Sequence, residues 1–190
     1  MLPLVLDVRS RRIAVIGRGR PAQARYEFVR EGGAEHLSLY VIDQDGWACH
    51  AEAALYERLP VVADLAGTAI AFVAGLPAQD AARVAGYARQ AGALVNVEDA
   101  PELCDFHVPS VVRRGDFLLT ASTGGKAPGL SKHVGAHLQE SFGPEWTQRA
   151  RKVIEARARW RAEGRSNDEV SRLTNRMIES EGWLRERAPA

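Results

Sequence analysis

A glycine-rich turn directly after an apolar run is the feature that most constrains the fold of this sequence. The run at residues 13–16 predicts a buried strand, and it leads into a G-x-G-x-x-A spacing. Such a spacing permits a tight turn at Gly17, close approach of a pyrophosphate at Gly19 and close helix–strand packing at Ala22. We therefore predict a strand-turn-helix unit that binds a dinucleotide. Its predicted cofactor-binding residues are Gly17, Arg18, Gly19, Arg20, Pro21 and Ala22.

Alternation of strand-like and helix-like stretches continues to about residue 106. Apolar runs at 37–42, 69–74 and 93–95 predict further buried strands, and residues 79–91 predict a helix with an apolar inner face. A short extended piece is also expected at 59–62. This β-α order is typical of the α/β class, so we predict a Rossmann-like doubly wound parallel sheet.

The second half of the chain follows a different pattern. Residues 109–121 predict extended segments, and helices are predicted at 131–141 and 144–164. Ser166 and Glu169 have the spacing of a capping box, and the apolar stripe that follows them predicts a third helix with one face in a core. The predicted domains are a Rossmann-like dinucleotide-binding domain at 1–108, a segment at 109–143 and a small helical domain at 144–190.

Composition adds few functional constraints. The chain has 190 residues, 46% hydrophobic content and a net charge of +1, which gives no electrostatic argument for binding nucleic acid or a membrane. No apolar run reaches the roughly 18 residues of a membrane span, and the first residues lack a secretory pattern. With only two cysteines, Cys49 and Cys104, we expect a cytoplasmic protein without disulfides.

An acidic residue follows the predicted strand at 37–42. Asp43 lies somewhat more than the roughly 20 residues past the glycines at which an acid commonly holds the ribose hydroxyls and favours NAD over NADP. Asp45 competes with Asp43 for this role. We predict a ribose ligand here, with Asp43 as the first candidate.

The stretch 96–128 carries the other candidate residues. It opens directly after an apolar run with Asn96, Glu98 and Asp99, and carboxylates at the ends of buried strands are candidate acids or bases. It closes with a strand-like run at 117–121 that leads into small and hydroxyl residues, where the main chain can approach a ligand closely. The residues of this second turn are Ser122, Thr123, Gly124, Gly125 and Lys126.

Three blocks of this stretch resemble the precorrin-2 dehydrogenase/sirohydrochlorin ferrochelatase family, which also forms the N-terminal module of siroheme synthases. The blocks read N-V-E-D-A-P-E-L-C-D-F, P-S-V-V-R-R-G and S-T-G-G-K-A-P, in the order and spacing of the family. The resemblance implies a homodimer in which the segment 109–143 serves dimerisation and substrate binding. It also implies NAD-dependent oxidation of precorrin-2 to sirohydrochlorin, with insertion of ferrous iron to give siroheme.

The resemblance implies roles for particular residues. Asp99 matches the aspartate of the family and is expected to be the catalytic base. Glu98 is a fallback whose side chain points the other way if the strand continues, and Asp105 and His107 are weaker candidates. The carboxylates of a tetrapyrrole require cations and hydrogen-bond donors. The expected substrate-binding residues are Asn96, Arg113, Arg114, Ser122, Thr123, Gly124, Gly125 and Lys126, with Lys132 nearby.

The sequence departs from the family at two places near the cofactor. Arg18 stands where the family has the middle of three glycines, and Gly75 and Leu76 stand where the family has a threonine-containing loop. Gly75 and Leu76 are still expected to bind the cofactor, whereas Arg18 and Arg20 either contact a phosphate or narrow the site. Two alternatives stay open: a chelatase or tetrapyrrole-binding protein with a decayed NAD site, and a nucleotide-binding regulatory module without chemistry.

No resident metal is expected. His133 and His137 lie four residues apart on one face of the predicted helix at 131–141, a spacing that can bind a metal. No third ligand follows at a fixed spacing. The resemblance implies ferrous iron only as a substrate of chelation.

Overall fold

The computed structural model describes residues 1–42, 47–50 and 53–184, and the chain divides into two compact units. The first unit spans Met1–Val108 and the second spans Pro109–Ala190. Each unit has its own sheet and its own helices. Within the described residues, none of the helices has both the length and the apolar character needed to cross a membrane.

Five parallel strands form the sheet of the first unit. They are β1 (Arg12–Gly17), β2 (His36–Val41), β3 (Ala54–Tyr56), β4 (Thr68–Ala74) and β5 (Leu94–Val97). Their order across the sheet is β3-β2-β1-β4-β5. The chain therefore winds outward from β1 in one direction and then continues on the other side of β1, where β4 pairs with it.

Helices α1 (Gly19–Glu31) and α2 (Ala78–Gln90) cover opposite faces of this sheet. Successive strand residues point to opposite faces, so Ile13 and Val15 belong to the core under α1 and Ile16 belongs to the core under α2. The central strands are apolar on both faces for this reason. The predicted Rossmann-like doubly wound parallel sheet is confirmed. Short 3₁₀ helices span Trp47–His50, Val62–Leu65 and Pro101–Leu103.

The structure differs from the predicted strands in two places. β3 is absent from the prediction because its three residues, at the edge of the sheet, carry no alternating pattern. The piece predicted as extended at 59–62 ends early: Val61 is extended, but a 3₁₀ helix begins directly after it. Asp64 closes this turn by accepting hydrogen bonds from Val61 N at 2.8 Å and from Arg58 Nη2 at 2.8 Å. The hydrogen bond from Arg58 lowers the pKa of Asp64 to about 2.

The second unit consists of an antiparallel hairpin followed by three helices. The elements are β6 (Ser110–Arg114), β7 (Phe117–Ala121), α3 (Pro128–Ser141), α4 (Trp146–Ala162) and α5 (Asn167–Glu181). Helix α3 packs on the hairpin so closely that a Cβ added at Gly135 would lie 1.9 Å from Ser110 Oγ. The predicted extended segments and the three predicted helices are confirmed.

Aromatic rings and a capped helix stabilise this second unit. Phe117 of β7 stacks on Trp146 of α4 with ring centroids 5.3 Å apart, and Val170 of α5 is buried. Ser166 Oγ accepts a hydrogen bond from Glu169 N at 3.3 Å, and the Glu169 carboxylate accepts one from Ser166 N at 3.0 Å. The predicted capping box is confirmed.

Candidate dinucleotide site and catalytic carboxylate

The strand order reverses at β1, and such a reversal opens a ligand crevice at the carboxyl edge of a parallel sheet. β2 lies on one side of β1 and β4 lies on the other, with β5 beyond β4. Three turns leave this edge beside one another, one each after β1, β4 and β5. They contain Gly17, Gly75 and Asp99 respectively, all within the first unit.

Only glycine fits at the end of β1. A Cβ added at Gly17 would lie 1.8 Å from the carbonyl oxygen of Ala74, on the neighbouring strand β4. Arg18 N donates to the same oxygen at 3.2 Å and so extends the β1–β4 pairing into the turn. Gly19, the first residue of α1, has a φ of 59°, a conformation that glycine adopts at no steric cost. The two glycines therefore allow main chain to approach main chain at the crevice.

The N-terminus of α1 is suited to binding an anion. Its N-cap residue, Arg18, makes no side-chain cap hydrogen bond, and the first turn contains no acidic residue. Arg20 is exposed in this turn, while Ala22 is fully buried and holds the helix close to the sheet. Pro21 occupies the third helical position, where its missing N–H costs no hydrogen bond. Helix amides and the helix dipole bind phosphate, so these residues fit the pyrophosphate of a dinucleotide.

The turn after β4 is held by side chains from the two neighbouring turns. Gly75 has a φ of 70°, and a Cβ there would lie 2.4 Å from the carbonyl oxygen of Arg18. Arg18 Nε donates to Gly75 O at 2.9 Å, and Gly75 N donates to Glu98 Oε2 at 3.1 Å. Leu76 packs against the core under α2, so a contact of this residue with a cofactor would use its main chain.

Asp99 has an unusual backbone conformation. Among the residues that the structure describes, it is the only non-glycine with a positive φ, 54°. Left-handed conformations cost roughly 1–2 kcal/mol, although Asp and Asn adopt them more readily than other non-glycine residues, and such outliers cluster at functional sites. The side chain is exposed, so a substrate can reach the carboxylate.

The expectation for the direction of Glu98 assumes that the strand continues beyond it, and this condition fails. β5 ends at Val97, and Glu98 N makes one further hydrogen bond, to Val73 O at 2.9 Å, before the chain turns. The Glu98 carboxylate accepts a hydrogen bond from Gly75 N in the turn after β4. His107, one of the two weaker candidate bases, is half-buried.

Two further candidates, Asn96 and Asp105, form hydrogen bonds between strand β5 and the segment that follows it. Asn96 is buried, and its side-chain amide donates to Phe106 O at 2.9 Å. Asp105 accepts hydrogen bonds from Val95 N at 2.9 Å and from Arg89 Nε at 3.1 Å. A substrate would have to displace these bonds to reach either side chain.

The two arginines predicted to bind substrate lie in the second unit and differ in their surroundings. Arg114 donates to Phe142 O at 2.8 Å and to Gln139 O at 3.1 Å, so its guanidinium caps the carboxyl end of α3. Arg113 is exposed on β6. Of the pair, Arg113 is therefore the better placed to bind an anion from solution.

The turn between β7 and α3 is braced by its own hydroxyl groups. Ser122 Oγ accepts a hydrogen bond from Gly124 N at 3.1 Å, and Thr123 Oγ1 accepts one from a main-chain N–H at 2.9 Å. Gly124 and Gly125 have φ values of 65° and 76°, which glycine alone adopts freely. Lys126 is exposed beside them. The turn is thus preformed before any ligand arrives.

The predicted ribose ligand cannot be placed, because Asp43 and Asp45 lie outside the described residues. In the part of the chain that the structure describes, no group of three or more His, Cys, Asp or Glu side chains is arranged to hold a metal ion. His133 and His137 are both exposed on α3.

The fold and the crevice together define a Rossmann-like dinucleotide-binding protein. A family model described as putative NAD(P)-binding matches residues 4–110, which include β1 to β5 and all three turns of the crevice. The chain belongs to this family. The G-x-G-x-x-A turn lies within the matched residues, between a strand and a helix as predicted.

Sequence relatives confirm the resemblance to siroheme synthases. The siroheme synthase of Azotobacter vinelandii is 33% identical over 149 residues, and that of Methylobacillus flagellatus is 31% identical over 146 residues. Each alignment covers 73% of this chain and 30% of the relative, so the chain spans about a third of the length of these proteins. A solved structure of SirC, a precorrin-2 dehydrogenase, shares the fold with a TM-score of 0.75 at 22% identity, covering 97% of this chain and 93% of that one.

Proposed function

We propose that this chain is an NAD-dependent precorrin-2 dehydrogenase that forms sirohydrochlorin. The observation that carries the proposal is Asp99, an exposed carboxylate held in a left-handed conformation at the same sheet edge as the glycine turns. The names of the sequence relatives and of the similar structure support the choice of substrate. Strained residues at a strand end beside a nucleotide crevice are where acid–base chemistry is expected.

Oxidation of precorrin-2 removes one hydride and one proton. NAD supplies the hydride acceptor when it is bound. The main chain at Gly17 and Gly19, with the N-terminus of α1, would hold its pyrophosphate, and Asp43 would bind the ribose hydroxyls and disfavour the extra phosphate of NADP. The Asp99 carboxylate accepts the proton that is lost with the hydride. This chain therefore supplies orientation and a base.

Ferrous iron is the second substrate in this proposal. Insertion of iron into sirohydrochlorin releases two pyrrole protons, and the same Asp99 carboxylate can accept them one at a time, passing the first to water before it accepts the second. The carboxylates of the tetrapyrrole require cations, and Arg113 and Lys126 are exposed in the segment 109–143. In the preformed turn at 122–126, the Ser122 hydroxyl accepts a hydrogen bond from Gly124 N and can donate its own proton to a further carboxylate.

Binding of NAD tests the proposal most directly. Wild-type protein should bind NAD in isothermal titration calorimetry, and Gly19→Val should abolish binding at millimolar NAD. A branched residue at a φ of 59° is strained, and its side chain occupies the place that the pyrophosphate must approach. Gly92→Val is the matched control, because Gly92 also has a positive φ, 87°, and a Cβ added there would meet no atom within 4 Å. Gly92 lies just before β5, at the amino-terminal ends of the strands and so away from the crevice. Absence of binding by the wild type would contradict the dehydrogenase proposal.

A homodimer built from the segment 109–143 is also proposed. The hairpin of β6 and β7 is a sheet of only two strands, so each strand has one edge without a partner strand in this sheet. The outer edges of β6 and β7 can pair with a second copy. Light scattering at micromolar concentration should give twice the monomer mass of 20.8 kDa, and a monomer mass would rule out this proposal.

One observation favours a second candidate function. Arg18 Nε donates to Gly75 O across the crevice, and this contact could exclude a cofactor. A chelatase with a decayed NAD site would bind sirohydrochlorin and insert iron without binding NAD, whereas a regulatory nucleotide-binding module would bind NAD and no tetrapyrrole. Parallel titrations with NAD and sirohydrochlorin separate these alternatives. For the dehydrogenase we expect both NAD and sirohydrochlorin to bind. We also propose that the protein is cytoplasmic.

A further inference from the structure

The main chain of Gly75 is bound on both sides by side chains from other turns. Its N–H donates to Glu98 Oε2 at 3.1 Å, and its carbonyl accepts from Arg18 Nε at 2.9 Å. We call these three residues the Gly75 junction. Main-chain bonds flank it: Arg18 N donates to Ala74 O at 3.2 Å, and Glu98 N donates to Val73 O at 2.9 Å. The junction therefore ties together all three turns of the crevice.

We propose that Glu98 is a positioning residue for the dinucleotide. By accepting the Gly75 N–H, its carboxylate fixes the turn after β4 against the turn after β1 and so sets the affinity of the crevice for NAD. This inference rests on the proposed NAD site. It assigns Glu98 a role in cofactor binding that is separate from proton transfer at Asp99.

The conformation of Gly75 explains why this turn needs an external partner. Glycine loses more conformational freedom on ordering than any other residue, and Gly75 is held at a φ of 70°. Without Glu98, a partly buried N–H would lose its acceptor, which costs about 1–3 kcal/mol in general. The turn would then relax, and a ligand would have to order it again on binding. Preorganisation of a loop increases affinity by removing this cost.

The junction also connects the two departures of this chain from the family. A Cβ at position 75 would lie 2.4 Å from the carbonyl oxygen of Arg18, so only glycine fits there while the Arg18 main chain keeps its course. The Arg18 side chain then reaches the Gly75 carbonyl, and Glu98 takes the N–H. The positions of Arg18, Gly75 and Glu98 therefore depend on one another.

Two conservative variants of Glu98 separate the contact from the charge. Glu98→Asp keeps the carboxylate but shortens the side chain by about 1.5 Å, which withdraws the acceptor from Gly75 N. Glu98→Gln loses the charge but keeps an oxygen that can accept the same hydrogen bond. Both changes are small enough to preserve the fold. Glu102→Asp serves as the matched control, since Glu102 is an exposed carboxylate nearby in sequence.

The readouts are the Kd for NAD by calorimetry and the unfolding temperature without NAD. We expect Glu98→Asp to raise the Kd about five- to tenfold, which is the range of one lost hydrogen bond, while Glu98→Gln and Glu102→Asp stay within about twofold of wild type. A purely structural role would lower the unfolding temperature of Glu98→Asp and leave its Kd unchanged. That outcome overturns the inference. An equal rise of the Kd for NAD in Glu98→Asp and Glu98→Gln overturns it as well.

The same titrations distinguish failure of this inference from failure of the proposed function. A wild-type protein that binds no NAD overturns both. A wild type that binds NAD, together with a Glu98→Asp variant of the same Kd, overturns only the role of Glu98. Amide hydrogen exchange at Gly75 provides an independent check, because the inference requires faster exchange in Glu98→Asp than in Glu98→Gln.

Discussion

Replacement of Asp99 by Asn is expected to lower the turnover of precorrin-2 by about 100-fold or more, while NAD and tetrapyrrole still bind. Asn has nearly the volume of Asp but cannot accept the proton that leaves with the hydride. A general base contributes about 10²–10⁴-fold to a rate, which sets the size of the expected loss. An anaerobic optical assay of precorrin-2 with NAD, with and without ferrous iron, measures both activities. Chelation should fall less, because pyrrole protons can also leave to water.

The backbone of Asp99 makes Asn the appropriate replacement. Asn and Asp tolerate a φ of 54° better than other non-glycine residues, so Asp99→Asn removes the base without adding strain. Asp99→Ala would combine loss of the base with roughly 1 kcal/mol of added strain. Glu102→Gln controls for the loss of an exposed carboxylate in the same segment. If Asp99→Asn kept wild-type rates in both assays, the assignment would be wrong and His107 would be the next candidate.

The features that could be predicted from the sequence depend on residues that are close together along the chain. The strand at 13–16 and the glycines after it specify a turn and a helix within a dozen residues, and the structure has β1 and α1 there. Ser166 and Glu169 form a capping box by reaching only three residues along the chain. Apolar periodicity and turn chemistry act over such distances, so local patterns were sufficient for the doubly wound fold.

The roles of polar side chains were less predictable, because they depend on residues distant in sequence. Asn96 binds Phe106 O and Arg114 caps α3, and neither contact has a local signature. A polar group that satisfies buried main chain looks the same in sequence as one that binds a substrate. For Glu98, the prediction also depended on where β5 ends. The departures at Arg18 and in the loop that begins at Gly75, both at the carboxyl edge of the sheet, were the available signal that these two turns contact each other.

Gly17→Ala is expected to destabilise this chain strongly, since its Cβ would make the closest contact found for the described glycines at which an added Cβ was placed. The new Cβ would lie 1.8 Å from the carbonyl oxygen of Ala74, which is main chain and cannot rotate away as a side chain does. Relief requires the ends of β1 and β4 to separate, which breaks the hydrogen bond from Arg18 N to Ala74 O. Overpacking of a core costs about 1–3 kcal/mol and sometimes more, so we expect a loss of at least about 3 kcal/mol here.

Urea denaturation followed by far-ultraviolet circular dichroism, at one fixed protein concentration, measures this loss. Gly86→Ala is the matched control: Gly86 lies in α2, no atom lies within 4 Å of its added Cβ, and a helical Gly→Ala change should stabilise by about 0.5–1 kcal/mol. The same methyl group is thus expected to act with opposite sign at the two positions. A Gly17→Ala protein with a wild-type urea midpoint would contradict the close approach of β1 and β4. Because a domain has only about 5–15 kcal/mol of stability in total, the expected loss should also weaken NAD binding, since the separated strand ends form the crevice.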